Sequence, residues 1–183
     1  LAVESDVVGG WPSNTLRSEV SERAGDLLAL GSHGGRRLAG IALGATSTDL
    51  LHDAPCSVLV ARHPFDPVAF PSRIVVGVDG SDASLAALDI ARRLLERTRG
   101  TGTVVTCRES SPGAEVVQRL AGPLVVRESN DRPVDALVEA AAFADLLVVG
   151  ARGLGGLRAL GSVSERVAHR AESSGLVVRP ERS

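Results

Sequence analysis

One stretch of this chain occurs twice, and that constrains the fold more than any single residue. Residues Asp26 to Arg62 read DLLALGSHGGRRLAGIALGATSTDLLHDAPCSVLVAR, and Asp145 to Arg179 read DLLVVGARGLGGLRALGSVSERVAHRAESSGLVVR. Each copy runs from an apolar strand into a Gly-x-x-Gly loop, then a Gly-led helix, then a second apolar strand. Chance rarely reproduces an ordered series of elements, so one supersecondary plan is used twice.

The second copy has the length of a whole domain. Arg73 to Gly80 is a short β-branched run closed by Asp-Gly, which reads as a buried parallel strand. Ser81 can cap the helix that follows, in which Leu85, Leu88, Ala91 and Leu95 keep helical spacing. Strands are expected at Thr101 to Cys107, Pro123 to Arg127, Asp145 to Gly150 and Leu176 to Arg179. Helices are expected at Ser110 to Gly122, from Pro133 through Phe143, and at Ser162 to Ala171. Strands alternating with helices demand a parallel sheet covered on both faces and joined by right-handed crossovers. The expected fold class is therefore α/β, a doubly wound parallel five-stranded sheet of the nucleotide-binding-like kind, with a partial second copy at the N-terminus.

The first copy begins mid-plan. Ala2 to Val8 would be its third strand and Pro12 to Arg23 its third helix, and the repeated unit follows. Residues 63–72 (HPFDPVAFPS) carry three prolines and read as a stiff linker. The expected division is 1–62, the C-terminal half of a first domain; 63–72, the linker; and 73–183, a complete but shortened domain. A half sheet leaves open edges and a bare apolar face, so something must cover it. Methionine is absent, even at position 1, which reads as a fragment or a processed form.

Composition removes whole reaction classes. All 20 basic residues are arginine. A Walker-A loop and Schiff-base chemistry both need a lysine, so neither is available. A net charge of −2 with interspersed signs gives no basic stripe, and aromatic residues make up only 2% of the chain, so nucleic acid is not an expected partner. The apolar runs are too short to span a bilayer, and the N-terminus has no secretory pattern. Cys56 and Cys107 share no metal or disulfide spacing and read as buried thiols of a cytoplasmic protein. The four histidines read as surface or capping residues. No Ser-His-acid, Cys-His or paired-carboxylate set is apparent, so no catalytic residue is assigned.

Two features carry chemistry. The first is Gly150-Ala-Arg-Gly153, then Gly161-Ser162, where a loop leaves a strand and opens a helix. Glycines admit close approach of an anion, and the helix start offers free amides and partial positive charge. Ser162 adds a hydroxyl and Arg152 a cation. The second is Asp79, which should face the same crevice from the end of its strand and accept hydrogen bonds from a base or ribose. Each has a plain alternative: Ser162-Val-Ser-Glu165 makes a capping box, and Asp79-Gly80-Ser81-Asp82 a turn and cap.

Taken together these motifs resemble the universal stress protein family. VVGVDGSDASLAALDIA is similar to the family's opening strand and helix, DLLVVGARG…LGSVSERVAHRA…LVVRP resembles its closing half, and GSHGGRRLAGIALG…HDAPCSVLVAR is similar to that half again. The resemblance implies pairing through the last strands, as a homodimer or between tandem domains. In one subgroup it implies ATP binding, with or without Mg2+. It places Val78 and Asp79 near the base and ribose, and Gly150, Arg152, Gly153, Gly161, Ser162 and Val163 around the phosphates. The implied function is a stress-response protein binding ATP or a related adenine nucleotide in its second domain, at most hydrolysing it slowly. A scaffold with a vestigial loop is the alternative.

The family's pattern is Gly, two residues, Gly, nine residues, Gly, then Ser or Thr, and both copies depart from it. Gly31, Gly34 and Gly44 keep the spacing, but Ala45 follows, with Thr46 next. In the second copy only seven residues separate Gly153 from Gly161. Two missing residues are expected to pull the helix start toward the strand.

Overall fold

A computed structural model describes residues 2–32, 43–62, 70–108, 114–151 and 161–180. The elements in chain order are α1 (Pro12–Glu22), β1 (Leu27–Gly31), α2 (Ala45–Asp53), β2 (Ser57–Ala61), β3 (Arg73–Gly77), α3 (Asp82–Thr98), β4 (Thr101–Cys107), α4 (Ala114–Ala121), β5 (Val125–Ser129), α5 (Pro133–Ala141), β6 (Leu146–Gly150), α6 (Ser162–Arg170) and β7 (Ser174–Val178).

The strands form one sheet in the order β1-β2-β7-β6-β3-β4-β5. β3 through β7 are parallel and doubly wound about β3 and β6. Their two-residue period sorts side chains to opposite faces. Ile74, Val76, Leu146 and Val148 pack under Ala87, Leu88, Ala91 and Leu95 of α3. Val75, Leu147, Val149 and Val177 pack with Leu137 and Ala141 of α5 and Val167 of α6. Both faces are covered, which is why these strands read as unbroken apolar runs. Ser81 caps α3 as expected, its hydroxyl accepting the Ser84 amide at 3.3 Å. Pro133 occupies the first turn of α5.

One edge of the first copy's half sheet is closed by the second copy itself; β1, at the other edge, has no outer strand among the described residues and leaves Leu27 exposed. β2 lies antiparallel on β7, with Val58 opposite Val177 and Val60 opposite Gly175. The seam has a local two-fold relation, because matching residues of the repeat exchange bonds. The Ser174 hydroxyl accepts the Arg62 amide at 3.0 Å, and the Ser57 hydroxyl accepts the Arg179 amide at 3.1 Å. The Arg62 guanidinium donates to the Ala168 carbonyl at 2.6 Å, and that of Arg179 donates to the Leu51 carbonyl at 2.6 Å. Each arginine thus satisfies a carbonyl in the last turn of the other copy's helix, where the helix dipole favours a cation. Burial pulls the Arg62 guanidinium below its ordinary value. His52 of α2 breaks the relation. Its Nε2 lies 3.3 Å from Glu165 of α6, whereas the residue matching Glu165 in the first copy is Thr48.

A charge-assisted hydrogen bond of this kind contributes about 1.5–3 kcal/mol. Arg62→Ala and Arg179→Ala should therefore each lower stability by roughly that much, read as a fall in the urea midpoint at unchanged slope. An effect in only one of the two would show that the seam's symmetry is geometric and not energetic.

Three expectations need correction. Ala2 to Val8 is not a strand, and Val3 and Val7 are 90% and 103% exposed. In the second copy the corresponding strand, β5, pairs with β4, and the first copy has no such neighbour among the described residues. A lone extended segment has no ladder to join. β5 begins at Val125, not Pro123, because Gly122 takes φ +60 after α4 and the Leu124 amide closes that turn on Ala121 at 3.2 Å. β7 begins at Ser174, not Leu176, because pairing with β6 and β2 on its two sides draws in Ser174 and Gly175.

Candidate functional site

β3 and β6 are neighbours, with Val76 opposite Val148, so their carboxyl ends lie side by side. This is the switch point where ligands bind in open α/β sheets. Val78 is buried and its amide donates to the Val105 carbonyl at 3.0 Å, which fixes the chain just before Asp79. Asp79 is half-buried. Its Oδ1 accepts the Ser81 amide at 3.0 Å and the Ser81 hydroxyl at 2.6 Å. The turn-and-cap expectation is thus met by one oxygen, and Oδ2 keeps no partner among the described residues.

Gly150 ends β6, buried, and its neighbours explain it. A Cβ there would stand 2.6 Å from the Ala83 carbonyl carbon and 2.8 Å from the Ser84 amide nitrogen. The first turn of α3 packs directly on the glycine backbone. The Gly150 carbonyl is also engaged, accepting the Ser164 hydroxyl at 2.6 Å.

The loop beyond is pinned at both ends, since the Gly161 amide donates to the Ala151 carbonyl at 2.7 Å. Residues 152–160, including Arg152 and Gly153, lie outside the described residues. In the first copy the Gly44 amide donates to Ser32 at 3.0 Å and the Ser47 hydroxyl to Gly31 at 3.0 Å; Gly34 lies outside the described residues. The same two bonds hold both helix starts. The two-residue deletion therefore does not pull α6 toward its strand, as the spacing suggests; it falls wholly within 152–160.

The capping box is not formed. The cap of α6 is Gly161, without a side-chain bond, and the Glu165 amide bonds the Gly161 carbonyl at 3.0 Å. Ser162 stands one position too late to cap, as the first helical residue, and Glu165 turns to His52 instead. Ser162 is exposed, and Val163 is half-buried against the core. The amides of Ser162, Val163 and Ser164 precede the first intrahelical bond, so the helix start presents donors, and the Ser162 hydroxyl has no partner among the described residues.

Two buried serines that tie the site together were not singled out in the sequence. Ser164 ties α6 to β6, and the Ser84 hydroxyl donates to the Ser81 carbonyl at 2.9 Å. The signal for Ser164 was present, because Ser47 holds the same place in the first copy. Cys56 and Cys107 are buried, and burial pushes the Cys56 thiol up. Among the described residues no group of three metal-binding side chains occurs, and no helix is long and apolar enough to cross a membrane.

Fold and site together define a nucleotide-binding-like α/β protein whose closing half is duplicated. The universal stress protein family model matches residues 1–62 and 118–179. A universal stress protein of Mycobacterium tuberculosis is 33% identical, covering 98% of this chain and 70% of its own length. One of Mycolicibacterium smegmatis is 34% identical, covering 97% of this chain and 74% of its own length. The chain belongs to the universal stress protein family. A universal stress protein from Archaeoglobus fulgidus superposes with a TM-score of 0.77 over 92% of this chain, at 23% identity, which is a likeness of fold. The chain spans 66% of that solved chain.

Proposed function

We propose that this stress protein binds ATP or a related adenine nucleotide across the ends of β3 and β6, and that binding changes how it meets its partners in the cytoplasm. The observation that carries this reading is a pair of groups at the switch point without partners among the described residues: Asp79 Oδ2 and the hydroxyl of Ser162 at the start of α6. A carboxylate oxygen there accepts from a base amino group or a ribose hydroxyl. Amides and hydroxyl at a helix start receive phosphate. In this reading Val78 and Asp79 hold the nucleoside, and Gly161, Ser162 and Val163 hold the phosphates together with Arg152 and Gly153. Gly150 contributes by letting α3 and β6 close on each other. Magnesium would arrive with the phosphates. The protein acts as a binder, with hydrolysis slow at most. The organisation we infer is a closing half-domain over 1–62, a linker over 63–72 and a complete unit over 73–183.

Calorimetric titration of ATP into the whole chain tests this. One saturable site is expected. Asp79→Asn retains the Oδ1 acceptor for Ser81 but replaces Oδ2 with an amide donor. It should weaken binding about tenfold or more, as expected for about 1.4 kcal/mol or more of lost hydrogen bonding to a charged group, while leaving the unfolding midpoint nearly unchanged. No saturable heat at millimolar ATP would end the nucleotide reading.

The scaffold alternative is favoured by the β2–β7 seam, which places strand pairing inside a single chain. It predicts that lengthening the 152–160 loop by two residues creates binding absent from the natural chain.

A further inference from the structure

The contact of His52 with Glu165 reaches from the first copy to the helix start that the nucleotide reading needs. His52 lies in the last turn of α2, and its Nε2 stands 3.3 Å from Glu165 Oε1 across the seam. Glu165 lies in the first turn of α6, three residues after the exposed Ser162. Side chains three apart share a helix face, with Cβ atoms about 5–6 Å from each other. Their Cβ bonds also lean toward the helix N-terminus. An unrestrained carboxylate at position 165 therefore reaches back toward the open amides of Ser162 and Val163, where the helix's partial positive charge draws it. It would hold the place that a phosphate needs and would repel that phosphate as well. The contact is particular to this end of the seam. Thr48 matches Glu165 and His169 matches His52, so the opposite end has the histidine without the acid. His169 also stands one turn beyond Glu165 on α6, yet among the described residues it is His52 that Glu165 meets.

We infer that His52 is a positioning residue for the nucleotide site: it draws the Glu165 carboxylate across the seam and keeps the start of α6 open to phosphate. This rests on the nucleotide reading above. It gives the first copy a share in the second copy's site, although His52 itself touches no ligand. The effect is modest in size. Both side chains are more than a third exposed, at 37% and 42%, so solvent screens the contact and the expected change in affinity is a few-fold.

The test is a double-mutant cycle read by calorimetric titration of ATP into four whole chains: the natural one, His52→Ala, Glu165→Gln and the double variant. His52→Ala should weaken ATP binding about threefold or more, with nearly the same urea midpoint, as for other exposed pairs. Glu165→Gln should bind ATP at least as tightly as the natural chain. The double variant should match Glu165→Gln, because without the carboxylate there is nothing for His52 to hold. His52→Gln, which keeps a donor toward Glu165, should recover part of the loss. Adenosine brings no phosphate and should bind the natural chain and His52→Ala equally. The loss should shrink at about 0.5 M salt, which screens carboxylate from phosphate. Equal ATP binding by the natural chain and His52→Ala overturns this inference alone. So does a loss that persists in the double variant, an equal loss for adenosine, or weaker binding by Glu165→Gln, which would make the carboxylate a ligand for phosphate-bound magnesium. Absence of saturable ATP binding in all four overturns this inference together with the nucleotide reading.

Discussion

Gly150→Ala is expected to lower stability by about 3 kcal/mol or more, measured by urea unfolding. The added methyl would sit 2.6 and 2.8 Å from the Ala83 carbonyl carbon and oxygen. Those are backbone atoms in the first turn of α3, and no rotamer change can move them aside. Either α3 lifts from the sheet or β6 shifts, and both carry buried leucines and valines with them. Overpacking in a well-packed core commonly costs about 1–3 kcal/mol and occasionally more. A clash between two backbones places this substitution at the upper end. Gly31→Ala, at the matching place in the exposed β1, should change stability by no more than about 0.5 kcal/mol. Equal effects at the two glycines would show that the close approach of α3 is not what Gly150 serves. A Gly150 variant that loses ATP binding would report a damaged fold, so it cannot be taken as a phosphate contact; Asp79→Asn separates the two.

Asp145→Asn is expected to destabilise by about 2–3 kcal/mol at pH 7, and the difference should shrink in acid. Asp145 precedes β6 and binds the start of β3. Its Oδ2 accepts the Ser72 and Arg73 amides, each at 2.9 Å, and the Ser72 hydroxyl, while Oδ1 lies 3.3 Å from the Arg73 guanidinium. Its own amide returns a bond to the Arg73 carbonyl at 2.9 Å. Burial by itself pushes this carboxyl up; the Ser72 hydroxyl, the two amides and the Arg73 side chain outweigh it and hold it below its ordinary value. A carboxyl depressed in the folded state stabilises fully above its unfolded pKa of about 3.9 and loses that contribution as pH falls toward the folded value. Urea midpoints of the two proteins should therefore converge between about pH 5 and pH 3. A gap of the same size at pH 3 would assign the effect to shape and not to charge.

The site was partly legible in the sequence. Asp79 at a strand end and Gly161-Ser162 at a helix start were readable because a repeated strand–loop–helix plan locates them. Two structural roles were not legible, for a shared reason. Gly150 reads as a cradle glycine, and its missing side chain is also required by α3, an element more than fifty residues away in sequence. Ser162 and Glu165 looked like a capping box, yet Gly161 is the cap and Glu165 meets His52 of the other copy. Both decisions depend on atoms that are distant in the chain.

By itself the sequence determined the alternation of strands and helices, the duplication, the double winding and the absence of lysine chemistry. Each of these follows from local periodicity and composition. Tertiary structure alone decided that the two copies share a single sheet through β2 and β7, that Arg62 and Arg179 close each other's helices, that the shortened loop leaves α6 in place, and that residues 2–8 form no strand. Strand pairing and helix capping across the seam are long-range hydrogen bonds, and a strand exists only where a neighbour supplies its partners.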